Sequence, residues 1–527
     1  MTQIVKCTII LINGTKMNIL KFLLGRNDEK VLYNILFYIL VVIFSILSII
    51  RVFNSTGYLL DTYEHIHASY LISIGDVPYR DFFEHHNPLL WYIFAPFTQL
   101  FYRDVSIIYV ARIFAVLGYL TTIAFLYVVS LKYSKSDIGA KNAVIFILCF
   151  SCFWEDIQNL RPDIFMYISM LVAILNIFKY LDTKRVRYLS YSYFSWLVAF
   201  LFLQKAMIYG FAFCISNIFL IFKNKIKLKD IAVASIIPLS ISVVLFFVAY
   251  KFDVLKNWYV FNFDFNVIMK KIFGVYHSGI NPEKMKLIYI LLSLVMIKIF
   301  KYSDKGIIIF SMWIAGFLQI QYFAPHPQYY LFNFIIITIL ITPLFSEIYT
   351  YKYFTMLIVS TIFISISFFN LYNSSKSSNV IKNEINLIKY TLENTEATDK
   401  LPISNNGHNL FNSNMHFHWL GLYTIAMIAD LYLDYDFDYN TEIKKNKPKF
   451  IFLSSTPIDR ILYSNTYSIR IRNEALLKKA SKGNLSYRDK ITEVNYDYWD
   501  IDNDFIHENY KFINSYNSTE LWQRIDK

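Results

Sequence analysis

Charge is scarce in this chain: only 17% of its 527 residues are Asp, Glu, Lys or Arg, while 56% are hydrophobic and mean hydropathy is +0.38. That balance lies outside the range of soluble globular domains and makes a bilayer the solvent. Cysteine is scarce as well. Of four, Cys7 precedes the first long apolar run, Cys149, Cys152 and Cys214 lie inside such runs, and the polar last third has none. No disulfide framework is indicated. The CxxC spacing of Cys149 and Cys152 falls in a Phe-rich membrane segment, where packing is favoured over redox or metal chemistry. Missing too are a small-residue cleavage site after the first strong apolar run, an internal repeat, and paired halves of the kind many transporters carry. An uncleaved first span is expected, and neither a solenoid nor an inverted-repeat carrier is suggested. The formal net charge of +12 forms no single basic face. Its Lys and Arg residues are scattered through short loops, as membrane topology demands and nucleic-acid binding does not.

What the chain has in abundance is apolar runs near the 20 or so residues that cross a hydrocarbon core. Spans are expected near 31–52, 106–131, 142–154, 162–181, 188–204, 206–222, 231–251, 286–300, 306–323, 328–346 and 353–371, about eleven in all. The fold class is therefore an α-helical polytopic membrane protein (residues 1–372) with a small C-terminal α/β domain (373–527). Alternate loops hold Lys132, Lys135 and Lys141, then Lys179, Lys184, Arg185 and Arg187, then Lys223, Lys225, Lys227 and Lys229, then Lys301 and Lys305. The positive-inside rule makes these cytoplasmic. The first long loop (53–87), the turn 154–161, the Gln204–Lys205 junction, loop 252–286 and turn 322–328 then face outward. With an odd number of spans, the tail does too. In the tail, an amphipathic stretch at 380–395, an apolar helix candidate at 420–433, a strand at 450–454 and a closing pair at 510–516 and 520–524 are expected. Asp434, Asp436, Asp438 and Asn440 alternate like the start of a calcium loop. Tyr439 and Lys445 stand where that loop needs Gly and Glu, so an acidic strand or a surface turn is the better reading.

The densest chemistry is in the first outer loop, Asp61-Thr62-Tyr63-Glu64-His65-Ile66-His67, then Gly75-Asp76-Val77-Pro78-Tyr79-Arg80-Asp81-Phe82-Phe83-Glu84-His85-His86-Asn87. A helix over 61–73 puts Asp61, Glu64 and His65 on one face, with Ala68 and Ile72 continuing it as an apolar strip along the membrane surface. Carboxylates at that depth are costly unless they are solvated, paired or functional. Asp61 is the candidate general base, with Glu64 beside it, because partial desolvation raises a carboxyl toward the working range. Glu84, His85 and His86 offer oxygen and nitrogen ligands to a divalent metal, or else shape the loop by bonding to Asp81. Arg80 and Asp81 are candidate substrate contacts.

Three outer span junctions carry further candidates. Pro162 suits a helix start and Asp163 the positive end of its dipole. Capping leaves the adjacent Arg161 unexplained, and its planar cation suits phosphate. Lys205, between two apolar runs, either snorkels or meets an anion. His326, held between Pro325 and Pro327 and followed by Gln328 and Tyr329, contacts either substrate or the interface.

The run from Asp61 to Pro96, with D-x-x-E-H and then G-D-V-P-Y-R-D-F-F-E-H-H-N-P-L-L-W-Y and A-P, resembles polytopic GT-C-type glycosyltransferases. That superfamily includes protein O-mannosyltransferases and lipid A aminoarabinose transferases, and the closest likeness is to bacterial members of glycosyltransferase family 39. The span starts Arg161-Pro162-Asp163 and Pro325-His326-Pro327-Gln328-Tyr329-Tyr330 look similar to that group as well. The resemblance implies a plasma-membrane enzyme that moves a sugar from a polyprenyl-phosphate donor to an extracytoplasmic glycan, lipid or protein acceptor. Asp61 matches the acidic residue of the first outer loop, and Asp163 a second acidic position. Thr62 stands where many relatives have a second acid, which leaves the role of Glu64 and the need for a metal open. A transporter or lipid flippase, and a polysaccharide polymerase or ligase, are the competing readings.

Overall fold

The computed structural model describes residues 28–54, 60–148, 157–266, 303–322, 327–347, 379–402, 409–415, 417, 439–454, 503–516 and 519–525. Nine of the eleven expected spans fall on described helices; 286–300 and 353–371 lie outside the described residues, as do the candidate helix 420–433 and Asp434 to Asp438. The helices are α1 (Asp28–Asn54), α2 (Leu60–Ser73), α3 (Leu89–Leu100), α4 (Ser106–Ser134), α5 (Asp137–Leu148), α6 (Pro162–Thr183), α7 (Val186–Phe202), α8 (Ala206–Phe222), α9 (Leu228–Lys251), α10 (Leu255–Tyr259), α11 (Asp304–Tyr322) and α12 (Pro327–Glu347). A π-helical turn, Val260–Asp264, continues α10. Among the described residues four helices are long and apolar enough to cross a membrane: Tyr33–Phe53 within α1, then α4, α6 and α9.

Their surroundings differ. In α6 67% of the apolar window is buried, and it packs against α4 and α7 at the centre of the bundle. In α9 only 6% is buried among the described residues, leaving Val233, Ile236, Val244 and Phe247 on an apolar surface suited to lipid. Tight reversals join the helices at one end. Lys135 closes α4 and Lys184 closes α6, both in the left-handed conformation, with their N–H groups bonded to Leu131 O (2.8 Å) and Tyr180 O (2.7 Å). Between α11 and α12 the Asn333 side chain occupies the space that a Cβ on Gly316 would need, with its Oδ1 nearest to that position. That oxygen accepts from Tyr209 Oη of α8 at 3.0 Å, a polar tie inside the apolar core.

The two ends of the bundle are chemically separate. At one end Asp182 receives Lys132 and Lys305, both at 2.8 Å, and Asp304 lies near Lys225 at 3.5 Å. These contacts join loops that the charge bias had grouped together. At the other end lie α2, α3, the turn before α6, the α7–α8 junction and α10. Helix α3 is an addition to the expected architecture. Its 12 residues are too few to span, and it packs on α2 as a short apolar helix instead.

The tail follows its expected pattern where it is described. Helix α13 (Asn379–Glu393) matches the amphipathic stretch; α14 (Tyr439–Asn446) and α15 (Asn503–Asn509) follow. Strands β1 (Lys400–Leu401) and β2 (Ser413–Asn414) form a short parallel pair. Strands β3 (Phe450–Ser454), β4 (Tyr510–Tyr516) and β5 (Thr519–Arg524) make an antiparallel sheet in the order β3-β5-β4. Leu387, Leu401, Phe450, Phe452 and Leu521 form its small core. The tail docks on the end that carries α2. Arg103 donates to the carbonyls of Leu392 and Thr395, His67 Nδ1 donates to Leu410 O at 3.2 Å, and Phe83 N–H donates to Phe417 O at 3.0 Å.

Candidate active site

Helix α2 begins at Leu60, so the i, i+3, i+4 spacing aims Asp61, Glu64 and His65 toward the neighbouring elements of the same end. Thr62 anchors it there: its hydroxyl accepts the Leu160 N–H at 3.0 Å. One turn of helix then divides the site into two groups.

In the first, Arg161 forms an ion pair with Asp61 and places its Nε 3.2 Å from Asp163 Oδ2. Arg161 precedes the Pro162 that opens α6, which explains how a cation is held beside a carboxylate in the first helical turn. Asp61 is the most open of the three, with 37% of its side chain exposed against 12% for Arg161 and 4% for Asp163. Asp163 Oδ1 has no hydrogen-bond partner among the described residues. Buried Lys205, which immediately precedes α8, contributes positive charge to Asp163, His85 and His86.

The second group is Glu64, Glu84, His85 and His86, all buried, with one ligand atom from each lying within 4.8 Å of the others. Glu64 Oε1 is 3.3 Å from His86 Nδ1 and 3.9 Å from His85 Nδ1, and Glu84 Oε2 is 3.8 Å from His86 Nδ1. Among the described residues Glu64 Oε1, His85 Nδ1 and His86 Nδ1 have no hydrogen-bond partner. Burial, together with the neighbouring Glu84, raises the Glu64 carboxyl well above its ordinary range. Burial also lowers His85 to about 3 and His86 well below the usual imidazole value. The oxygens of two carboxyl groups and the nitrogens of two neutral imidazoles, gathered at this spacing, fit a divalent ion of the Zn²⁺ or Mn²⁺ kind, which would hold both carboxyls ionised. The sequence pattern had supplied three of these ligands. The fourth, Glu64, comes from α2 and could be added only by folding.

The loop that carries this group is fixed from behind. Gln204 Nε2 donates to His85 O at 3.0 Å, Tyr79 Oη donates to His86 O, and Trp258 Nε1 donates to Asn87 Oδ1 at 2.9 Å. Tyr79 itself has a positive φ of 68°, and its carbonyl accepts from Asn257 Nδ2 at 2.8 Å. Trp91 on α3 donates its indole N–H to His65 Nδ1 at 3.0 Å. Sequence reasoning missed Trp91, Asn87, Trp258 and Asn257. Only the apolar run after Pro88 signalled that a short helix would bring Trp91 against α2.

Arg80 and Asp81 are not part of either buried group. They pair with each other at 2.7 Å on the surface, with Arg80 lying over the Phe252 ring. The expected bond from the histidine pair to Asp81 is replaced by the contacts to Glu64, because Asp81 is occupied by Arg80 and the Val77 N–H. His326 lies outside the described residues. Gln328 and Tyr329 begin α12, and of their placement only the helix is described.

Residues 85–250 match the family of dolichyl-phosphate-mannose-protein mannosyltransferases, and no curated protein matches the chain. Among solved structures, the archaeal oligosaccharyltransferase AglB from Archaeoglobus fulgidus, in complex with an inhibitory peptide and a dolichol-phosphate, is similar at TM-score 0.52 and 12% identity. That match covers 85% of this chain and 72% of that one. ArnT from Cupriavidus metallidurans bound to undecaprenyl phosphate aligns at TM-score 0.45 and 11% identity, over 71% of this chain and 74% of that one. The matched segment is similar to that family, and the likeness to AglB is one of fold.

Proposed function

We propose that this enzyme transfers a sugar from a polyprenyl-phosphate-linked donor to an extracytoplasmic acceptor, a cell-envelope glycan, lipid or protein, with inversion at the anomeric carbon. The single observation carrying the reading is the gathering of Asp61, Arg161, Asp163, Lys205 and the Glu64, Glu84, His85, His86 group at the end opposite the Lys-rich loops. A lipid-borne donor presents its phosphate at that depth, and a set of buried charges there suits it. Both solved relatives were obtained with a polyprenyl-type phosphate, and AglB also with a peptide. On this reading the catalytic end and the tail (373–527) are extracytoplasmic, and the membrane domain (1–372) lies in the plasma membrane.

Asp61 accepts the acceptor hydroxyl's proton as that oxygen bonds to the anomeric carbon and the carbon–oxygen bond to phosphate breaks. The electron pair leaves with the polyprenyl phosphate. Arg161 and Lys205 neutralise the charge that develops there. In the unliganded protein Arg161 is shared between Asp61 and Asp163, and an arriving phosphate competes for it. Drawing Arg161 toward the phosphate frees the more exposed carboxylate, Asp61, for its role as base. The Glu64, Glu84, His85, His86 group would hold a divalent ion, and such an ion would supply further positive charge to the site. The test is to incubate purified protein with a panel of polyprenyl-phosphate sugars and measure release of the free carrier phosphate. Release with at least one donor supports the reading. No release with any donor, together with solute flux in liposomes, would replace it with transport.

A further inference from the structure

His65 sits between the two groups. Its ring lies 5.3 Å from that of His86, and Asp163 is the anion whose field reaches it. Only 1% of the residue is exposed, and its partner Trp91 is fully buried. The indole nitrogen of Trp91 can only donate, so the 3.0 Å bond leaves His65 Nδ1 one role, that of acceptor. An imidazole that accepts at Nδ1 carries its proton on Nε2, and the tautomer follows from geometry alone. Among the described residues Nε2 has no hydrogen-bond partner. Unlike Nδ1 of His85 and His86, it is not among the fully enclosed nitrogens, so its N–H can meet an oxygen that arrives from outside the chain.

We infer that Trp91 is a positioning residue that locks His65 as an Nε2–H donor, and that this donor binds an oxygen of the incoming glycosyl phosphate. The inference rests on the proposed transfer reading and adds two roles to it. Trp91, which touches no substrate, acts through His65. His65 serves as a hydrogen-bond donor, and neither a base nor a metal ligand. The oxygen it meets belongs either to the phosphate or to a sugar hydroxyl, since both accept the same N–H.

Nitrogen NMR of the full-length protein labelled with ¹⁵N-histidine tests the lock without any turnover. His65 is assigned by the resonance lost in His65→Gln. The expected wild-type pattern is an unprotonated Nδ1 and a protonated Nε2, and Trp91→Phe should give a mixture of both tautomers. A protonated Nδ1 in the wild type, or an unchanged pattern in Trp91→Phe, overturns the lock whether or not any donor sugar is found. Undecaprenyl phosphate without sugar should shift the Nε2 resonance if the acceptor is a phosphate oxygen. A shift only with the sugar-bearing donor identifies a hydroxyl, and no shift with either overturns the donor role. In transfer assays Trp91→Phe should lose about five- to tenfold, the size of one neutral hydrogen bond. His65→Leu should lose more, and His65→Gln, which keeps an N–H donor at the Nε2 place, should recover part of it. Equal activity of His65→Leu and His65→Gln would contradict the role. If no donor is turned over, the transfer reading fails while the tautomer result still stands.

Discussion

The two ends of the helical bundle use the same ionisable residue types and make different things of them. At the Lys-rich end the charges are half in water: Lys132 and Asp182 are 37% and 36% exposed, and they meet at 2.8 Å. At the other end Glu64 is 2% exposed, Glu84 is fully buried and Asp163 is 4% exposed, and among the described residues Glu64 Oε1 and Asp163 Oδ1 have no hydrogen-bond partner. Exposed pairs contribute at most about 1 kcal/mol each. Burying charge without full compensation costs several. The first end therefore records topology, and the second suits the proposed site, where a ligand would supply the compensating contacts.

The sharpest way to break this comparison is Asp61→Asn. Transfer should fall about 10²- to 10⁴-fold, the usual worth of a general base, in protein that inserts and folds normally. Full activity would remove Asp61 from the reaction. Metal content is the next test. Wild type dialysed against Zn²⁺ or Mn²⁺ should keep about one equivalent by elemental analysis. His86→Ala should bind at least about 10- to 100-fold more weakly, the loss that even a second-sphere contact brings. Equal retention by the two proteins would reduce the four-residue group to packing.

Acid probes the tie between α2 and the tail. Burial lowers the pKa of His67 below its ordinary 6.5, against weaker opposing contributions from Leu410 and Asn414. The unfolded chain therefore binds a proton near pH 6.5 that the folded chain refuses. Stability is retained above that value and declines as pH falls below it, by up to about 1.4 kcal/mol per pH unit until the folded pKa is reached. Thermal melts between pH 7.5 and 5 should show the decline, to which His65, His85 and His86 also contribute, and His67→Gln should make it shallower. Equal slopes for the wild type and the variant would show that His67 is charged in place. The smallest effect belongs to the other end. Asp182→Asn, which removes the partner of two lysines, should change stability by no more than about 1 kcal/mol for each of the two pairs and leave transfer unchanged. A large loss of activity there would erase the contrast between the ends.

Much of this was legible before folding because a bilayer imposes its rules on sequence directly. A span must be apolar for its whole length, and a cytoplasmic loop carries Lys and Arg. Helices α4, α6, α8 and α9 therefore begin and end within a few residues of their expected limits. Asp61, Arg161, Asp163 and Lys205 stood out for the same reason, as charges at the edges of apolar runs. In the tail, β3 and the β4–β5 pair were visible as short apolar segments set in polar surroundings.

What the sequence determined by itself was which segments enter the membrane, which end collects the chemistry, and which residue types are present there. Tertiary structure decided who meets whom. It turned Glu64 away from Asp61 toward His85 and His86, gave Arg161 two carboxylates at once, and left Arg80 and Asp81 paired with each other on the surface. It also folded the apolar run after Pro88 back onto α2, so that an indole 26 positions away fixes the proton of His65. Hydropathy and periodicity act along the chain and can be read there. Hydrogen bonds and ion pairs depend on ångström-scale distances between segments far apart in sequence, and those distances exist only once the helices have packed.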